Sequence, residues 1–254
     1  MKFSGQGPVY LAIRQNDGKP GAFFDIGCAD ELSVAMAVTK WTHKETCSGQ
    51  RAVDATGEKE KTVSVTLTMT EWKTANIELA TRGVAKAAAT GSVTNEELPD
   101  ALVAGDYVAL GGQTPRMGIT ALTIVDSDSP PNAVALNTNY TVNADTGLVK
   151  IVSVAGLTQP LVANYTYADQ AFVAMLAAGA REYWLRYDYL NGQNANGPGV
   201  AELYRVKFDP TSSLPLINEE YLTFTLAGEV LIDTTQDADG DLGQFGRISE
   251  GVAG

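Results

Sequence analysis

Apolar and polar positions alternate along most of this chain in short runs separated by turn residues. Val9, Leu11 and Ile13 alternate before Asn16-Asp17-Gly18, and Phe24 and Ile26 after it, which predicts a β-hairpin with a somewhat long turn. Val34, Met36 and Val38 resume the period over residues 33–39. From Thr62 onward Val63, Val65, Leu67 and Met69 share one face, while Ser64, Thr66 and Thr68 share the other. That is a strand with one buried face and one polar, uncharged face. Thr70 then stands as a helix N-cap with Glu71 in the first turn, and Trp72, Ala75, Leu79 and Ala80 make a narrow apolar stripe ending at Gly83 as C-cap. A helix of roughly three turns must lie against the sheet to be stable. Four strands and one helix are therefore expected in the first 83 residues.

Residues 40–61 break the period. A connection longer than roughly 12 to 15 residues inside a compact domain is uncommon and usually functional or disordered. With Trp41, charges of both signs, Gly49 and Gly57, the segment reads as a long loop reaching outside the domain.

Residues 84–98 are small and lack aromatics, and are expected to lead into an inserted segment. From Leu98 to Tyr167, short strands are separated by turns at Gly111-Gly112, Ser129-Pro130-Pro131 and residues 143–147. Tyr140, Val142, Val149 and Ile151 predict a hairpin, with Val162, Tyr165 and Tyr167 on a partner strand, together a small β-sandwich or sheet lobe. Asp169 to Ala178 fits a short helix or a strand equally well. Aromatic strands return at residues 182–190, 202–208 and 221–232, the first two joined by the flexible tip NGQNANGPG. In the second of these Tyr204, Val206 and Phe208 form an apolar side and Arg205 and Lys207 the opposite one. Residues 233–254 are rich in Gly and Asp and are expected to be extended.

Composition adds limits. With 254 residues and 44% hydrophobic content, the chain has room for one large or two modest domains with a real core. No apolar run approaches the roughly 20 residues of a membrane helix. The start MKFSGQGPVY lacks a signal peptide's apolar core, so folding in a cytoplasm is expected. The net charge of −12 is uneven: residues 1–90 hold 11 basic and 10 acidic side chains, while the remainder holds 7 and 20. Such a surface repels nucleic acid, because tight binding needs Lys and Arg to displace counterions from phosphates.

Candidate chemistry is sparse. Cys28 and Cys47 are too few for a disulfide framework and lack a CxxC spacing, so two free thiols are expected over one structural bridge. His43 is the only histidine, and its place in the long segment favours a surface residue over a triad member. Asp237, Asp239 and Asp241 have the spacing of a calcium loop, but Leu242 and Ile248 stand where the required Gly and Glu belong. Tyr183, Trp184, Tyr187 and Tyr189 fit a core and subunit interface better than a sugar platform, since they lie on alternate faces. Neither catalysis nor a bound metal or cofactor is expected.

The order of several pieces carries a resemblance. SGQGPVYLA (4–12), HKETCSGQR (43–51), an alternating strand and a helix ending NIELATRG (76–83) resemble the N-terminal half of the major tail tube proteins of long-tailed bacteriophages. LRYDYLNGQNANG (185–197), YRVKFDPTSSLPLI (204–217), FTLAGEVLIDTTQ (224–236) and LGQFGRI (242–248) resemble the C-terminal half, in the same order. The resemblance implies a mainly β fold, a tail-tube β-sandwich or half-barrel with one short α-helix. Residues 1–90 and 169–254 would form the tube domain, and 91–168 an inserted all-β lobe on the tube exterior.

It further implies a virion structural protein, assembled in the host cytoplasm as hexameric rings that stack into the tail tube, a conduit for DNA ejection. Its partners would be its own copies, the tail tip or baseplate, the tape measure and the tail terminator proteins. Genomic DNA would pass through the lumen without specific binding, and no membrane is involved. If each of six subunits lends about four strands, about 24 strands at roughly 4.8 Å spacing and 40° tilt enclose a bore of roughly 38 Å, wide enough for duplex DNA. On this reading residues 40–61 dock onto a neighbouring ring through Trp41, His43, Lys44, Glu45, Arg51, Asp54, Glu58, Lys59 and Lys61. The competing readings are a solvated charge run for that segment and, for the whole chain, a glycan- or cell-surface-binding β-sandwich module.

Overall fold

The computed structural model describes residues 2–47, 49–192, 197–236 and 242–251. The chain is mainly β, with one helix among the described residues. In order the elements are β1 (Gly5–Gln6), β2 (Val9–Arg14), β3 (Pro20–Asp25), β4 (Ala29–Lys44), β5 (Val53–Met69), α1 (Thr74–Thr81), β6 (Val84–Ala88), β7 (Gly91–Glu97), β8 (Tyr107–Ala109) and β9 (Thr120–Val125). They continue as β10 (Ala133–Val134), β11 (Tyr140–Asn143), β12 (Leu148–Ile151), β13 (Val162–Tyr167), β14 (Gln170–Ala174), β15 (Tyr183–Asn191), β16 (Gly197–Phe208), β17 (Phe224–Val230) and β18 (Gly246–Glu250). The chain divides into two compact units, Met1–Ala85 with Val173–Gly254, and Lys86–Phe172.

In the first unit the strands pair antiparallel in the order β3-β2-β15-β16-β17-β5-β4. β16 is shared along its length: Gly199 to Leu203 pair with β18, and Val206 to Phe208 with β17. Val9 and Leu11 of β2 and Val65, Leu67 and Met69 of β5 belong to one buried cluster although three strands separate them, so the sheet is curled around its apolar face. Leu79 and Ala80 of α1 close that face, joined by Phe224 and Leu226 of β17. The curl stops short of closure, because β3 and β4 end the strand order and do not pair with each other. The result is a half-barrel with two strand edges that have no partner among the described residues.

Several expectations change here. Residues 40–61 are not a loop: β4 and β5 form one hairpin 16 and 17 residues deep, and only residues 45–52 connect them. The apolar period fails in its outer half because both faces meet solvent there, so hydrogen bonding holds the pair without any hydrophobic stripe to reveal it. The helix starts at Thr74, after an extended Lys73. Thr70 Oγ1 donates to Cys28 O, and Glu71 accepts from Cys28 N, so both side chains tie the β3–β4 turn instead of capping a helix. Trp72 is consequently 56% exposed, and the buried residues of α1 are Asn76, Leu79, Ala80 and Thr81. The left-handed residue after the helix is Arg82, with Gly83 N donating to Glu78 O. Residues 170–174 are strand. A register shift in the β15–β16 pair separates Tyr204 from Val206 and Phe208, and places it with Ala12, Trp184 and Leu242 in a second cluster. Of the terminal segment, Gly246 to Glu250 join the sheet; Asp237, Asp239 and Asp241 lie outside the described residues.

The second unit has two sheets, β10-β9-β13-β7 and β11-β12-β8. Val149 and Ile151 from one and Ile124, Ala163 and Tyr165 from the other share one buried cluster, the core of a small sandwich. The β11–β12 hairpin forms at Tyr140↔Ile151 as the alternation requires. β13 is not its partner strand: it pairs with β7 and β9 in the opposite sheet, and Ala163 and Tyr165 supply its buried side.

Candidate functional site

The first unit offers a long exposed surface on the β4–β5 hairpin and the edge of β4. Near the core, Val65, Leu67 and Met69 alternate into the buried cluster and fix the register. Farther out the hairpin leaves the sheet, since β17 pairs with β5 only from Val63 to Met69. Beyond that point β4 and β5 have only each other among the described residues.

The nine residues expected to dock lie along this outer half. Trp41 sits opposite Gly57 in β5, and a Cβ at position 57 would lie 2.6 Å from the indole Nε1, so glycine is what lets the ring lie across its partner strand. Trp41 remains 49% exposed. His43 Nδ1 and Asp54 Oδ1 are 2.6 Å apart, both side chains well exposed. Asp54 is an extra residue between the pairs His43↔Ala55 and Lys44↔Val53, and Lys59 is another between Thr39↔Glu60 and Lys40↔Glu58. Both are β-bulges, which raise local twist and re-aim side chains. Lys61 Nζ meets Glu58 Oε2 at 3.0 Å. At the tip Glu45 N donates to Ala52 O, its carboxylate accepts from Cys47 N, and Arg51 takes a left-handed φ of 48°. The structure thus joins Trp41 with Gly57, His43 with Asp54 and Glu58 with Lys61, and spreads the others along the hairpin without a common centre.

The sheet's convex face was only partly visible in the sequence. Cross-strand pairing sets Ser33 beside Thr66, Ala35 beside Ser64 and Ala37 beside Thr62 on β4 and β5, and adds Ala227 and Glu229 of β17. Thr68 and Thr225 hydroxyls meet at 2.9 Å. This surface is small and polar, with Glu31 and Glu229 its carboxylates and Lys207 beside Glu229. The contribution of β17 was signalled by the alternation in FTLAGEV, but nothing in the sequence told which strand it joins.

The convex face of β2, β15 and β16 differs, because ion pairs and the segment after residue 232 cover it. Arg14 Nη2 meets the buried Asp233 Oδ1 at 2.8 Å, and Arg205 clasps Glu182 through two contacts of 2.8 Å. Arg205 and Lys207 are therefore not a free cationic pair. Burial alone would raise the Asp233 carboxyl, but hydrogen bonds from Thr235 and Arg14 outweigh it and hold the pKa below its ordinary value. The hydrogen bond from Arg205 lowers Glu182 likewise. Arg186 and Arg247 flank buried Glu202 at 3.6 and 2.8 Å.

At the open side of the half-barrel a cleft of ≈790 Å³ separates the N-terminal segment from the start of β4. Phe3, Val9, Leu32 and Tyr187 line it together with Glu31 and Glu71. Cys28 and Cys47 are exposed free thiols. Among the described residues no group of three or more His, Cys, Asp or Glu side chains could hold a metal, and no helix is long and apolar enough to cross a membrane.

Comparison with curated proteins returns no match. Residues 2–249 match the family described as "Protein of unknown function UCP028589", and the chain belongs to that family.

Proposed function

We propose that the chain is a structural subunit that assembles with its own copies into stacked hexameric rings, the tail tube of a long-tailed bacteriophage, with no catalytic role. The observation that carries this reading is the open half-barrel. A 16-residue strand, β4, ends the sheet with its outer edge unpaired among the described residues, and its outer half is exposed on both faces. Long free edges invite pairing with another chain, and closure of several sheets into one barrel removes them.

In the assembled tube the small polar face of β4, β5 and β17 lines the lumen, where hydroxyls hold water and Glu31 and Glu229 keep phosphate from adhering. The β4–β5 hairpin reaches the neighbouring ring, and the inserted unit lies on the tube exterior. Tail tip or baseplate, tape measure and terminator proteins complete the structure in the virion, after assembly in the host cytoplasm. Negative-stain microscopy of the concentrated protein tests this. Rings or tubes of constant width are expected; a monomer at every concentration and salt condition would overturn it.

A further inference from the structure

The first unit carries a second exposed feature, the segment 209–223 between β16 and β17. It is anchored at both ends: Thr211 N donates to Ala80 O at 2.7 Å, and Leu214 and Leu222 pack on the main core cluster. Between these anchors the chain turns its apolar residues outward. Ile217 is 98% exposed, Tyr221 95% and Leu216 68%, and Glu219 and Glu220 stand between the two largest. A loop held at both ends that presents Ile and Tyr to water has the make-up of an interface anchor.

A second unpartnered apolar surface lies on β4. Val34 pairs with buried Val65 and Met36 with half-buried Val63, so all four point to the core side of the sheet. The core does not extend that far, and the row Val34, Met36 and Val38 emerges exposed, Met36 by 75%. Lys61 sits cross-strand from Val38 at the end of this row. Its present contact, Glu58, is a solvent-exposed ion pair of the kind that exchanges readily.

We infer that the 214–222 loop of one copy docks onto the Val34-Met36-Val38 row of the next, with Ile217 and Tyr221 on the apolar row and Glu219 and Glu220 towards Lys61. The occupant is a second copy of this chain because both apolar surfaces belong to one chain, both are exposed in it, and the loop's charge is opposite to that of the lysine beside the row. Two different patches meeting in this way make a head-to-tail contact, which closes into a ring or grows into a filament. The inference rests on the self-assembly reading above and supplies its contact between neighbours.

The test uses Ile217→Asp and Met36→Asp, both at positions exposed enough to leave the fold intact, followed by circular dichroism melting and sedimentation velocity. Each variant should keep the wild-type melt yet need a roughly tenfold or higher concentration to assemble, as expected when an anchor side chain is lost. Mixed in equal amounts, they should form dimers and stop there. The intact loop of Met36→Asp finds the intact row of Ile217→Asp, while the other pair of surfaces is disabled on both sides. Assembly of either variant at the wild-type concentration, or a mixture that stays monomeric, would overturn the docking contact while leaving the tube reading standing. Wild-type protein that never self-associates would overturn both.

Discussion

The two units handle their sheet edges differently. The inserted unit places two sheets over one core, and its outermost strands β7, β8, β10 and β11 run only two to seven residues. The other unit curls one large sheet around its apolar face, leaves it unclosed, and ends it in a strand of 16 residues. Short edges offer little to pair with; a long, twisted and partly apolar edge is a template for a neighbour. On the proposed function, this difference makes the first unit the one that other copies would complete.

The contrast can be broken most forcefully from inside. Leu226→Ala empties a fully buried position of the half-barrel and should cost about 2 to 5 kcal/mol; Ile151→Ala should do the same in the insert. Calorimetry should show two transitions, each variant lowering only its own. A single transition moved by both would mean the units do not melt independently.

A somewhat smaller loss follows from the ion pairs on the half-barrel. Asp233→Ala leaves Arg14 largely buried with Glu182, at 4.0 Å, as its remaining carboxylate among the described residues, and should cost about 1.5 to 3 kcal/mol by urea denaturation. The same carboxylates give the unit an acid limit. Because the folded pKa values of Asp233 and Glu182 are depressed, their stabilisation is complete above the ordinary values of 3.8 and 4.5 and is lost as the pH falls through the folded values. Thermal melts below pH 4.5 should therefore fall with acid in the wild type, and fall less steeply in Asp233→Ala.

The smallest effects on stability belong to the outer hairpin, where assembly would respond instead. Replacing residues 41–57, which begin and end at the cross-strand pair Trp41↔Gly57, by a two-residue turn should leave the melt unchanged, since that half of the hairpin adds nothing to the core, but should abolish ring stacking under the microscope. Tubes of wild-type length from this variant would remove the hairpin's docking role. His43→Ala, which deletes an exposed pair, should change stability by less than about 1 kcal/mol.

What could be read from the sequence follows from what each segment buries. The inner half of β5 and the β11–β12 hairpin bury one face each, and their alternation reveals them, whereas in β2 Val9 and Leu11 keep the alternation while Ala12 is buried on the other side and Ile13 is exposed. The outer halves of β4 and β5 bury neither face, so Val53 to Lys61 shows mixed charges where the structure has a strand. Thr70 and Glu71 have the residue types of a helix start, yet the helix begins at Thr74 and they bind the backbone of Cys28, 42 and 43 residues upstream, a contact no local pattern encodes. For the residues expected to dock, the sequence suggests a loop and gives no pairing: Gly57 beneath Trp41 and the bulges at Asp54 and Lys59 exist only once the strand register is set.

Hydrogen exchange along β4, followed from dilute to concentrated protein, tests most directly whether other copies complete the half-barrel. The outer-edge amides of residues 29–44 should exchange quickly in the dilute protein and become protected as it assembles, while amides of the insert stay unchanged. Equal exchange of β4 at both concentrations, in samples shown to contain assemblies, would mean that neighbouring copies do not use this edge and that the sheet is finished within a single chain.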